Sequence, residues 1–95
     1  MLFHVAIAVH VPPNIDRDKL QELSEREHVR AAELQRQGKW LHLWRVAGQW
    51  ANISIFKVSD PAELHEILES LPLRPYMEVE VSALCKHPGA VGTAE

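Results

Sequence analysis

Glu27, Arg45 and Asn52 are polar side chains standing where apolar ones are expected. At about 100° per residue, Leu20, Leu23, Ala31 and Leu34 span a narrow arc of one helix, and Glu27 falls inside it. A carboxylate facing a core without a partner costs several kcal/mol, or its pKa rises. That environment suits a general base in a partly dry cavity between helix and sheet. Arg45 and Asn52 lie inside the apolar runs of HLWRVAGQWANISIF, residues 42–56. A guanidinium is a planar fork of donors that fits a substrate carboxylate. An amide is a neutral donor that could point at a pocket. Each residue also has a plainer reading. Glu27 could pair at the helix edge with Arg30 or an exposed lysine. Arg45 could close its strand with its stem buried and its head in water. Asn52 could serve the backbone of the nearby turn.

Other chemistry is harder to assemble. His28 sits beside Glu27, about a quarter-turn round the helix. The six histidines form no metal signature: there is no H-x-H, no H-x-x-x-H and no C-x-x-C. Surface or interface roles are expected for them, and a packing role for Cys85. No glycine-rich phosphate loop and no nucleophile elbow is present. The three tryptophans read as core or interface residues.

The elements that position these groups come from length and pattern. The 95 residues make one domain, which buries about two thirds of its unfolded surface. Apolar residues are 46% and charged residues 24%, as in ordinary globular proteins. A formal net charge of −3 and the lack of a Lys/Arg run argue against nucleic acid as a partner. A single cysteine excludes an intrachain disulfide and fits a reducing compartment. The opening MLFHVAIAVHVPP has no basic region before its apolar run, so it reads as a strand rather than a signal peptide. No run approaches the ~20 apolar residues of a membrane span. A cytoplasmic protein is expected.

Residues 2–11 predict a first strand, ended by Pro12-Pro13. Asp16 is the expected N-cap of a helix over about 17–37, stopped at Gly38. KWLHLWRV and WANISIFKV are the next strands, with a turn at 47–49. SDPAELHEILESLP carries a capping box, with Asp60 as N-cap, Pro61 at the first position and Glu63 at the third. YMEVEVSAL alternates as a fourth strand, and residues 86–95 form an irregular tail. The order β-α-β-β-α-β predicts a ferredoxin-like α+β fold, an antiparallel four-stranded sheet with both helices on one face. The other face should then be polar. Simple alternation, however, gives the second strand Leu41, Leu43 and Arg45 on one face and Trp40, Trp44 and Val46 on the other. The third strand offers Ile53 and Ile55 to one face, and Trp50, Asn52, Ser54 and Phe56 to the other. Both faces call for burial, which predicts a homo-oligomer, at least a dimer, with sheet faces paired.

Taken together, MLFHV, LQRQGKWLHLWRVAGQWANISIF, ELHEILESLPLRPYM and EVEVSALCKHP, in this order and spacing, resemble the muconolactone delta-isomerase family over nearly the whole chain. The resemblance implies a ferredoxin-like, cofactor-independent enzyme that assembles as a decamer. It implies conversion of muconolactone to 3-oxoadipate enol-lactone in the catechol branch of the β-ketoadipate pathway. That reaction needs a base, a holder for the substrate carboxylate and donors for a developing oxyanion. Glu27, Arg45 and Asn52 can supply those roles, with His28, Trp40, Ser54 and Tyr76 as expected substrate contacts. The chain departs from the family pattern at His28, where lysine is common, at Trp50, where tyrosine is frequent, and at Arg74, where an aromatic is usual. A lysine keeps its charge at neutral pH, whereas histidine exchanges it there, so His28 bears on the base and on the substrate. Alternatives on this reading are chloromuconolactone dehalogenation on the same scaffold, a cofactor-free monooxygenase of similar fold, or a non-catalytic small-molecule-binding module.

Overall fold

The computed structural model describes residues 1–92. Its elements are β1 (Leu2–Val9), α1 (Arg17–Arg36), β2 (Trp40–Arg45), β3 (Ala51–Lys57), α2 (Pro61–Glu69), a 3-10 turn (Arg74–Tyr76) and β4 (Met77–Leu84). The strands form one antiparallel sheet in the order β2-β3-β1-β4, as the β-α-β-β-α-β order predicts. Residues 85–92 are irregular and exposed, and the remainder of the expected tail lies outside the described residues. Among the described residues no helix is long and apolar enough to cross a membrane.

Local chemistry sets the helix ends. Asp16 Oδ1 accepts the Asp18 amide at 2.8 Å, capping α1. Gly38, with φ +73°, takes the left-handed turn that leads the chain into β2. Asp60 Oδ1 accepts the Glu63 amide at 2.8 Å, with Pro61 opening α2. The expected capping box is shifted by one residue, because Glu63 Oε1 accepts the Ser59 amide rather than that of Asp60. Its other oxygen pairs with Lys39 Nζ at 2.8 Å. These contacts hold the Glu63 carboxyl below the usual carboxylate range.

Both helices cover one face of the sheet. Phe3, Val5 and Ile7 of β1 and Phe56 of β3 pack there with Leu34 of α1 and with Leu64, Ile67 and Leu68 of α2. Trp40 joins them and stacks on Phe56, the ring centroids 4.7 Å apart.

One feature of β2 differs from simple alternation. Trp40 pairs with Phe56, but His42 pairs with the next β3 residue, Ile55. Leu41 is therefore an extra residue, a β-bulge. Past the bulge the facing of every side chain is reversed. Trp40, Leu43 and Arg45 share the helix-covered face, whereas alternation put Trp40 opposite Arg45. His42 and Trp44 turn to the open face, where their rings stack at 5.0 Å. Ile53 and Ile55 lie beside them, with His4 and Ala6 of β1 next in register. The open face thus has an apolar centre, with Trp44 58% exposed. On the β4 side Glu78, Glu80 and Ser82 pair with Ala8, Ala6 and His4, so this face is less uniformly apolar than expected. Cys85 is exposed, not packed, because it lies beyond the end of β4.

Candidate active site

A cavity of about 410 Å³ opens between α1, the β2–β3 end of the sheet and the segment leading into β4. Ser24, Glu27, His28 and Ala31 line it from α1. Their spacing of i, i+3, i+4 and i+7 places them on one helix face. Leu43 and Arg45 line it from β2, and Trp50, Ala51 and Asn52 from the start of β3. Trp40 closes the inner wall. Its indole N–H is buried and has no hydrogen-bond partner among the described residues, so packing and stacking alone hold the ring.

Glu27 is half-buried, and its Oε1 accepts the Leu73 amide at 3.0 Å. Among the described residues neither Arg30 nor a lysine is seen to pair with it; Arg30 is engaged by Glu33 and Ser70. Desolvation lifts the Glu27 carboxyl above its ordinary range, opposed by the Leu73 amide and the nearby charge of His28.

Arg45 and Asn52 face each other across the β2–β3 ladder and both line the cavity. Arg45 Nη1 donates to the Gln49 carbonyl at 3.1 Å. That carbonyl belongs to the hairpin turn, which Gly48 makes possible with φ +78°. The remaining guanidinium donors make no hydrogen bond among the described residues. Asn52 Oδ1 accepts the Ser54 hydroxyl at 2.7 Å, which leaves both Asn52 N–H donors without a protein partner among the described residues. The cavity thus brings together a carboxylate with a raised pKa, a guanidinium with spare donors and an amide with spare donors. A small anionic molecule that gives up and regains a proton would meet a complementary group at each of these positions.

Of the other expected contacts, His28 and Trp40 line the cavity. Ser54 and Tyr76 do not. Ser54 is wholly buried, between Val5 and Leu43 in register. Tyr76 lies on the 3-10 turn, one residue before Met77, which does line the cavity. Sequence reasoning missed Ser24 and Leu73. Ser24 had a signal, since it is one turn before Glu27 and His28 on the same helix face. Leu73 had none, because it acts through its backbone amide from 46 residues away.

The muconolactone delta-isomerase family profile matches residues 1–90. The chain is 50% identical to a muconolactone delta-isomerase of Acinetobacter baylyi, over 96% of this chain and 95% of that one. It is 49% identical to one from Rhodococcus opacus, over 90% and 92%. A crystal structure of muconolactone isomerase superposes with a TM-score of 0.94 at 45% identity, covering 100% of this chain and 99% of that one. Fold, element order and near-complete sequence coverage agree, and the chain belongs to the muconolactone delta-isomerase family.

Proposed function

We propose that this protein isomerises muconolactone to 3-oxoadipate enol-lactone by proton transfer, in the catechol branch of the β-ketoadipate pathway. The observation that carries the reading is the convergence of Glu27, Arg45 and Asn52 on one cavity in a chain of this family. Glu27 takes the proton from the ring carbon bearing the acetate arm. Its Oε1 is engaged by Leu73, so Oε2 is the oxygen available for the proton. The electron pair moves through the ring double bond onto the lactone carbonyl oxygen, giving a dienolate. Asn52 donates to that oxyanion. The carbon next to the carbonyl then receives a proton, and the double bond comes to rest between the other two ring carbons. If both transfers occur on one ring face, Glu27 carries the same proton out and back. The sequence of steps is redox-neutral and calls for no cofactor. Mixing the protein with muconolactone and following the ultraviolet absorption of the conjugated lactone tests the reading. Loss of that absorption is expected, and an unchanged spectrum would overturn it.

Arg45 holds the acetate carboxylate with the donors that Gln49 leaves free. Arg45→Lys keeps the charge and loses the fork. KM is expected to rise about tenfold, the equivalent of one lost charge-assisted hydrogen bond, with kcat held within a few-fold. An unchanged KM in steady-state kinetics would return Arg45 to a strand-end role.

The open sheet face is covered by a second copy of the chain in this reading, with a dimer as the minimum and a decamer from the family resemblance. The half-exposed Trp44, stacked on His42 and flanked by Ile53 and Ile55, supports it. Sedimentation in dilute buffer is expected to show no substantial monomer. Trp44→Glu, which places a charge on that face, is expected to yield smaller species. A monodisperse monomer of the unmodified protein would remove this part of the reading. A cytoplasmic location accompanies it, from the single cysteine, which fits a reducing compartment.

A further inference from the structure

We infer that Ser54 is a positioning residue that locks the Asn52 amide with its N–H donors, rather than its carbonyl, turned toward the cavity. The inference rests on the role proposed above for Asn52. Ser54 is wholly buried, with 0% exposure, in an otherwise apolar part of the sheet between Val5 and Leu43. A buried hydroxyl is costly unless it is hydrogen-bonded. Among the described residues this one makes a single hydrogen bond, donating to Asn52 Oδ1 at 2.7 Å. The two residues are neighbours on one face of β3, two positions apart.

The two ends of an asparagine amide are nearly equal in shape and opposite in hydrogen-bonding character. What distinguishes them here is the hydroxyl proton. If the amide turned over, Asn52 would donate to Ser54, and the Ser54 O–H would lose its acceptor inside the core. The carbonyl oxygen would then face the cavity, where it would repel a developing oxyanion. In the observed orientation the Ser54 hydroxyl has its acceptor, and both Asn52 N–H donors are left for the substrate. Ser54 therefore touches no substrate and sets the polarity of a residue that does.

The test is a double-mutant cycle in steady-state turnover of muconolactone, comparing wild type, Ser54→Ala, Asn52→Ala and the double variant. Ser54→Ala is expected to lower kcat about tenfold, with KM within a few-fold, because the lost contribution acts on charge that develops during reaction. In the Asn52→Ala background Ser54→Ala is expected to cause no further loss. Ser54→Thr and Ser54→Val add a pair of similar shape that differs in the hydroxyl. Thr is expected to be the faster, and this pair decides if Ser54→Ala does not fold. Full activity of Ser54→Ala overturns the inference alone, provided Asn52→Ala is slow. So do losses that multiply in the double variant, or equal rates for Thr and Val. An Asn52→Ala variant as fast as wild type overturns the Asn52 reading, and the inference falls with it.

Discussion

Glu27→Gln is expected to lower the turnover of muconolactone about 10²-fold or more, the scale of losing a positioned base, with folding and assembly intact. Glutamine keeps the size of the side chain and a carbonyl oxygen for the Leu73 amide, but cannot accept the proton. The same substitution has a signature in stability. Burial raises the folded-state pKa of Glu27 above its ordinary 4.5, so the fold favours the protonated acid. That contribution is present in full below the unfolded value and is lost as pH rises through the folded one. At neutral pH the wild type therefore carries a partly buried charge that Glu27→Gln removes. The variant is expected to melt higher than wild type at neutral pH, and the difference is expected to vanish below about pH 4.5. The acid limb of the wild-type rate profile is expected to lie above the usual carboxylate range and to be absent from the residual activity of the variant. Turnover within a few-fold of wild type in a folded Glu27→Gln would remove Glu27 from the mechanism, and His28, its neighbour on the cavity wall, would be the next base to test.

Asn52→Ala is expected to lower kcat about 10²-fold, the loss seen when one donor to an oxyanion is removed, while KM stays within a few-fold. The split follows from when the charge appears. In the ground state the lactone carbonyl is a neutral, weak acceptor, and in the dienolate the same oxygen carries the electron pair displaced by proton removal. A donor fixed before the reaction gains most from the second state. Asn52→Asp is expected to be slower still, since it deletes the donors and sets a negative charge beside the oxyanion. A rise in KM with unchanged kcat would instead mark Asn52 as a uniform binding contact.

Three residues that line the cavity, Glu27, Arg45 and Asn52, were legible in the sequence because each violates its own local pattern. A carboxylate in an apolar helical stripe needs only the 3.6-residue period to be noticed, and a guanidinium or amide in an apolar strand needs only the two-residue period. The elements were legible for the same reason, helped by Asp16, Gly38, Asp60 and Pro61 at the helix ends, whose effects are local. The quoted motifs identified the family.

The facing of β2 was decided by tertiary structure. The bulge at Leu41 is a two-for-one pairing against β3, and no alternation within β2 reveals it; yet it places Trp40, Leu43 and Arg45 on one face and turns Trp44 to the other. The environment of Glu27 was decided the same way. A backbone amide 46 residues away binds one of its oxygens, and desolvation sets the direction of its pKa shift. Ser54 looked like a substrate contact and became the buried partner of Asn52, because only the neighbouring strands determine which positions of β3 reach the cavity and which lie beneath it. Periodicity and capping depend on residues a few positions apart and can be read along the chain. Pairing register, burial and the partner of a buried polar atom depend on residues that only the folded chain brings together.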